Sequence, residues 1–249
     1  MAAVYENRIQ DYEQDIASIL SRLSHHMHPQ VVARIQERNQ DEYAHFDRLF
    51  AGRVSIGSYL FPGSACVFPG VRRYVGGRGT KGKFNPADAA IIDDNRFPRH
   101  LWCFMAGAQA YSGPTWKKLG LAQFELAHVF SHKESELKAE AAAFTVCDVS
   151  TLPFSDFTCA CNVVLLPKGT VRPTDNSQAI KAIFYQRYID LYGEGALQGR
   201  SQLRPECVPD WYATLEWNEP QLPDQWKARV DKLLAYRTRR ITHLMSAGS

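Results

Sequence analysis

A strand–strand–helix pattern between residues 124 and 192 constrains the fold of this chain more than any other feature. The segment FELAHVFSHK is a short apolar run that contains the histidine His128. A second apolar run, Val163 to Leu166, follows a long insertion and ends at a Pro-Lys-Gly turn. From Ser177 the apolar residues recur at three- and four-residue steps, which predicts an amphipathic helix that ends at Gly193. The sequence therefore predicts an α+β fold in which two short strands precede a helix.

The insertion between the two predicted strands contains a helix-forming segment and three cysteines. Its residues 134–143, ESELKAEAAA, are strong helix formers and predict a short helix. The cysteine spacing, C-x11-C-x-C, lacks the C-x2-C knuckle of structural zinc sites. We therefore expect no structural zinc at Cys147, Cys159 and Cys161. Alternation along a strand places Cys159 and Cys161 on one face, where we expect buried thiols.

The order of His128, Asn162 and the polar residues after the second strand resembles the HNH, or ββα-metal, nucleases. In that family a histidine at the end of the first strand activates a water, and an asparagine holds the long loop against it. One or two helix side chains hold a single divalent metal ion. The phrase Asn162-Val-Val-Leu-Leu-Pro-Lys is similar to the family's segment of asparagine, apolar strand and basic turn, and the resemblance covers roughly seventy of the 249 residues. It implies a ββα-metal nuclease core embedded in a mostly helical chain.

Two positions depart from the family pattern. Ala127 precedes the histidine where many members have an acidic residue, and Val171 stands where members usually have His or Asn. The resemblance then implies that Asp175, at the start of the predicted helix, takes the metal role. Asn176 and His132 are the further candidate ligands. The implied ion is Mg²⁺ or Mn²⁺, because both are hard cations that prefer oxygen ligands.

Basic residues at three places predict contacts with a nucleic-acid backbone. Lys168 and Arg172, beside the turn after the second strand, are candidates to clamp the scissile phosphate. A C-terminal helix from about Pro223 has a basic face that includes Arg237 and could also touch phosphate. The third place is a Gly-rich segment whose flexible backbone and five cations suit phosphate binding. These cations are Arg72, Arg73, Arg78, Lys81 and Lys83.

The N-terminal residues 4–50 have apolar spacing that predicts two helices, which pack on the core or on a second subunit. His25, His26 and His28 lie between them without a cysteine or acidic partner at metal-binding spacing, so we expect a solvated helix end there. The predicted organisation has an N-terminal helical segment, a strand and loop region with the basic segment, the catalytic core, and a C-terminal aromatic segment with the basic helix. Their bounds are 1–52, 53–120, 121–195 and 196–249.

Composition favours a cytoplasmic protein with no membrane segment. No apolar run approaches the eighteen residues of a membrane span, and the N-terminus lacks a basic start followed by an apolar core. Six cysteines without regular spacing fit reduced thiols better than a disulfide framework. The net charge of +3 is too small to indicate a polyanion-binding protein by itself, so any nucleic-acid surface must be a local patch.

The resemblance to the HNH nucleases, together with the basic residues, implies a metal-dependent endonuclease of the restriction or phage-defence type that acts on double-stranded DNA. His128 is the predicted general base, because a histidine with the ordinary pKa of about 6.5 can take a proton from water at physiological pH. Cutting both strands with one site per chain favours a homodimer. Ala127 and Val171 keep an alternative open, namely a non-catalytic nucleic-acid-binding module or a subunit of a defence complex.

Overall fold

A computed structural model describes residues 2–50, 62–67, 96–131, 134–147, 154–197 and 199–246. Within these ranges the chain forms eight α-helices, four 3-10 helices and a two-stranded antiparallel sheet. The α-helices are α1 (Ala2–Leu23), α2 (Pro29–Phe50), α3 (Arg96–Met105), α4 (Gly113–Lys118), α5 (Glu134–Ala143), α6 (Val171–Asn176), α7 (Gln178–Tyr192) and α8 (Trp226–Ser246). The strands are β1 (Phe124–His128) and β2 (Val163–Pro167), and the 3-10 helices are Leu121–Gln123, Phe154–Thr158, Pro205–Cys207 and Asp210–Thr214. This mixture of helix and sheet agrees with the α+β class.

The two helices predicted at the N-terminus and the helix predicted after the second strand are confirmed. Residues 4–50 form α1 and α2, and Pro29 is the first residue of α2, where its missing N–H has no helical partner to lose. The predicted amphipathic helix is α7. The Ser177 hydroxyl accepts a hydrogen bond of 3.1 Å from the Ile180 amide at its start, and Gly193, with φ of +72°, ends it.

The two strands pair so that His128 lies opposite Val163. Successive side chains of β2 point to opposite faces of the sheet, and both faces are covered. Val163 packs into the larger cluster of buried residues, whereas Val164 and Leu166 pack against α1 and α7 in a second cluster. Burial on both faces explains why this strand is apolar at every position rather than alternating.

The histidines between α1 and α2 do not form the solvated helix end that the sequence predicted. His25 forms an isolated bridge with Leu165, and the two residues exchange backbone hydrogen bonds of 2.9 and 3.0 Å, which covers the free edge of β2. His26 is only 4% exposed and lies against the rings of Phe184 and Trp217. The prediction failed because these contacts join segments that are far apart in the sequence.

Helix α8 packs against α2 and α3, and its contact with α2 contains a buried arginine. Arg237 of α8 is fully buried, donates to the Asn39 side chain at 2.6 Å and forms an ion pair with Glu42 at 2.8 Å. Its guanidinium also lies 5.0 Å above the ring of Phe46. The prediction that Arg237 lies on a solvent-facing basic face was therefore wrong, because this side chain is buried in the contact between α8 and α2.

The larger cluster of buried residues draws on all four predicted segments, including Met27, Cys66, Phe130 and Leu234. The segment bounds themselves stay a prediction. None of the helices in the described part of the chain is long and apolar enough to cross a membrane.

Candidate active site

His128 is the last residue of β1, and its ring is held by an aromatic neighbour. The imidazole stacks on the ring of Phe157, with centroids 3.7 Å apart and planes 12° from parallel. Phe157 belongs to the 3-10 helix Phe154–Thr158, which comes just before β2. The stacking therefore fixes the plane of the imidazole through a residue from the long insertion.

Asn162 joins the two segments that flank this ring pair. Its side chain is fully buried, and its Oδ1 accepts a 2.7 Å hydrogen bond from the Phe130 amide. Its Nδ2 lies within 3.1 Å of the carbonyls of Phe130 and Asp156 and 3.3 Å from that of Phe157. The backbone carbonyl of Asn162 accepts from Val129 at 2.9 Å. These bonds tie the chain after His128 to the loop that carries Phe157, which is the arrangement that a loop-holding asparagine requires.

A buried ionic network also holds the loop that carries Phe157. Arg200 forms ion pairs with Glu140 at 3.0 Å and Asp156 at 3.2 Å, and all three side chains are at most 5% exposed. The guanidinium lies 4.6 Å above the ring of Phe130, and the Ser131 amide donates to Glu140 at 2.5 Å. The network thus holds the segment just after His128 and the segment just before Phe157.

Burial changes the protonation of this network. Removal from water raises the pKa of Asp156 to about 7, and the positive charge of Arg200 opposes this rise. Removal from water also raises the pKa of Glu140, again against the effect of Arg200. One arginine with two carboxyl groups is charge-balanced when one of them is protonated, and the raised pKa of Asp156 favours that state.

A cavity of about 190 Å³ opens beside His128. Its lining includes His128 of β1, Phe157 and residues of α6. The α6 residues that face it are Val171, Thr174 and Asp175, whose i, i+3, i+4 spacing places them on one side of the helix. The structure therefore brings His128 and Asp175 to the same cavity.

Val171 occupies an informative place in this cavity. It is the position where HNH nucleases usually have His or Asn, and its side chain lines the same cavity as His128. Asp175 follows one helical turn later on the same side. The apolar residue and the carboxylate therefore share the face that the family resemblance assigns to metal ligands.

The helix that carries Asp175 differs from the expectation. Asp175 and Asn176 lie in the separate short helix α6 rather than at the start of α7. The break occurs at Ser177, whose extended backbone (φ −97°, ψ 126°) separates the two helices while its hydroxyl caps α7. A capping residue has non-helical backbone angles, so α7 starts as a new helix after Ser177.

Two of the remaining predicted site residues, Asn176 and Lys168, are described by the structure, and neither lines the cavity of His128. Asn176 lines a different groove, beside α1, and Lys168 is exposed in the turn after β2, where its amide donates to the Gln123 carbonyl. The side chain of Arg172 and the whole of His132 lie outside the described residues. The same holds for Arg72, Arg73, Arg78, Lys81 and Lys83.

Several residues that line the cavity were not predicted from the sequence, and three of them bear on its chemistry. Phe157 stacks on the histidine, and Glu136 of α5 and Lys181 of α7 line the cavity wall. Lys181 directly follows Ile180 within the amphipathic run of α7. This charged residue among apolar ones was the signal in the sequence that could have marked Lys181 as a site residue. Glu136 and Phe157 lie in the insertion, and no sequence spacing relates them to His128.

The metal-binding capacity of the site is limited in the part of the chain that the structure describes. Among these residues, no group of three or more His, Cys, Asp or Glu side chains is arranged to hold a metal ion. None of the six cysteines, all of which are described, forms a disulfide bond, and Cys159 and Cys161 are fully buried. A hydrated Mg²⁺ needs only one or two protein carboxylates, with water and substrate phosphate as its other ligands. The Asp175 carboxylate fits that requirement.

Comparison with protein-family models, with curated proteins and with solved structures finds no match to this chain.

Proposed function

We propose that this protein is a metal-dependent endonuclease that hydrolyses phosphodiester bonds in DNA. The observation that supports it best is the shared cavity of His128 and Asp175, one at the end of β1 and the other on the helix after β2. The hydrogen bonds of Asn162 to the loop beside the histidine add to this support. The order of strand, long loop, strand and helix is the order that the family resemblance requires.

In this proposal His128 is the general base that takes the proton from the attacking water. Its imidazole lines the cavity, and stacking on Phe157 restrains the plane of the ring. Asp175 would hold one Mg²⁺ or Mn²⁺, which when bound neutralises charge on the phosphate and on the departing oxygen. Lys181 adds a positive charge at the cavity wall, where it can contact a phosphate oxygen.

The proposed substrate is double-stranded DNA, and the proposed role is restriction or phage defence. This part rests on the family resemblance and on the basic segment between residues 72 and 83. Lys168, exposed in the turn before α6, is a candidate contact to the nucleic-acid backbone. A cytoplasmic location belongs to the same proposal and agrees with six cysteines that form no disulfide bond.

One observation favours a second candidate, a non-catalytic nucleic-acid-binding module or a subunit of a defence complex. Val171 places an apolar side chain on the cavity wall where a ligand is expected, and the described residues contain no cluster of three metal-binding side chains. A module of this kind would retain the cavity but lack turnover.

Digestion of plasmid and phage DNA by the purified protein with Mg²⁺, Mn²⁺ or EDTA separates the two candidates. The nuclease proposal predicts cleavage that requires the metal ion, with discrete bands if the enzyme is sequence-specific. Salt-dependent DNA binding without cleavage in either metal would favour the binding module and contradict the nuclease.

A further inference from the structure

The outer face of α1 carries an exposed apolar stripe. Tyr12, Ile19 and Leu23 are 60%, 43% and 48% exposed, and Ile16, between them, is half-buried. Single exposed apolar residues are common and need no explanation, but several on one helix face indicate a surface that is covered by a partner. We call these four residues the α1 stripe.

The spacing of the α1 stripe is that of a coiled-coil seam. Its members are separated by four, three and four residues, which is the alternation of the a and d positions of a heptad repeat. In the sequence the same alternation continues back to Ile9 and Tyr5, so the pattern spans nearly the whole length of α1. The helix uses another side, with Ala17 and Leu20, to pack on the core. Of the α1 stripe, Ile16 also packs against this core. Packing on the protein's own core therefore does not account for the exposed side chains of Tyr12, Ile19 and Leu23.

A groove runs beside the α1 stripe. It is about 680 Å³ in volume, with Tyr12, Ile16 and Ile19 on one side. The segment between β2 and α7, including Thr170 and Pro173, forms the other side. A groove bordered by a heptad stripe has the shape and apolar character that accept an amphipathic helix.

We propose that the helix bound there is α1 of a second copy of this chain, in an antiparallel pair around a twofold axis. Two exposed charges, Asp15 and Arg22, lie seven residues apart beside the α1 stripe, each directly before one of its a positions. If Ile16 packs against the partner's Ile19, Asp15 approaches the partner's Arg22. The twofold axis then repeats this ion pair.

Charge complementarity distinguishes this arrangement from a parallel pair. In a parallel pair the heptad places Asp15 near the partner's Leu20, so the opposite charges do not meet. The antiparallel pair satisfies the apolar stripe and both charges at once. This inference rests on α1 alone and does not depend on the nuclease proposal.

Sedimentation equilibrium of the full chain, from about 1 to 100 μM, tests the proposal. The wild type is expected to be a dimer, and Ile19→Asp to weaken association at least about a hundredfold, because a carboxylate enters the seam from both copies. Ala33→Asp, at an exposed position of α2, is the matched control and should associate like the wild type. A monomeric wild type, or an Ile19→Asp variant that associates like the wild type, would overturn the proposal.

Exchanging the two charges tests the antiparallel register. The test compares the double variant with each single variant, so poor folding of one single variant does not decide the result. Asp15→Arg and Arg22→Asp should each weaken the dimer, because each brings like charges together. The double variant should recover association to within about threefold of the wild type. Failure of the double variant to recover, while each single variant is weakened, would exclude this pairing.

Discussion

At the scale of single residues, the candidate site depends on side chains that hold other side chains. Asn162 is such a residue, because its amide reaches three carbonyls and one amide on both flanks of the His128–Phe157 stack. A buried amide with this many partners cannot be truncated without leaving backbone groups unsatisfied. The position of Asn162 directly before an apolar strand was visible in the sequence, but its burial and its partners were not.

Asn162→Ala is expected to lower the free energy of unfolding by about 2–4 kcal/mol, because buried carbonyl and amide groups lose their partners. Urea unfolding measures this change. Asn176→Ala is the matched control, since Asn176 is exposed, and its effect should stay within about 0.5 kcal/mol. Equal stabilities of Asn162→Ala and the wild type would contradict the assigned structural role.

His26 makes the fold sensitive to acid. Burial, together with the nearby charges of Arg187 and His25, lowers its pKa to about 3. The unfolded chain, with a histidine pKa of about 6.5, binds a proton between these two values that the folded chain does not bind. The contribution of His26 to stability is therefore complete above pH 6.5 and is lost as the pH falls toward 3.

Between pH 7 and pH 5, His26 should account for a loss of about 2 kcal/mol in the free energy of unfolding. His26→Phe removes this titration, so its stability should fall less than that of the wild type over the same interval. His45→Phe, at an exposed position of α2, should leave the pH dependence unchanged. Parallel pH profiles of His26→Phe and the wild type, from urea unfolding, would show that burial of His26 does not control this behaviour.

At the scale of elements, local patterns were predictable and long-range contacts were not. The spacing of apolar residues, the capping serine and the terminal glycine made α7 predictable, because helix signals lie within a few residues of each other. The covering of β2 by His25 and the burial of Arg237 depend on residues more than a hundred positions away, so no local pattern encodes them. The short helix α6 was not predicted, because the helical spacing of apolar residues starts only at Ser177 and six residues are too few to show such a repeat.

Helix α6 carries the predicted metal ligand, so its residues should control ion affinity. Asp175→Ala should weaken Mn²⁺ binding at least about tenfold, and Val171→His should strengthen it, because an imidazole would join the carboxylate on the same helix face. Isothermal titration calorimetry measures both changes. Asp224→Ala, at an exposed position before α8, is the control. If Asp175→Ala binds Mn²⁺ as the wild type does, α6 is not the metal-binding element.

At the scale of the whole molecule, one core supports the sheet and its site. Residues from α2, the insertion and α8 meet in one cluster of buried side chains, and the ionic network of Arg200 links α5 to the loop before β2. The cavity lies at the margin of this core, where His128 and Asp175 come from elements on either side of the insertion. The insertion is therefore part of the candidate site and supplies Phe157 to it.

The most direct test of the proposed function is the cleavage rate of supercoiled DNA in Mn²⁺ by the wild type and by His128→Ala. The account predicts that His128→Ala lowers the rate by at least about a hundredfold, because the general base is lost, while DNA binding is retained. His45→Ala, which removes an exposed histidine of α2, should cleave like the wild type. A His128→Ala variant that cleaves at the wild-type rate would contradict the central claim.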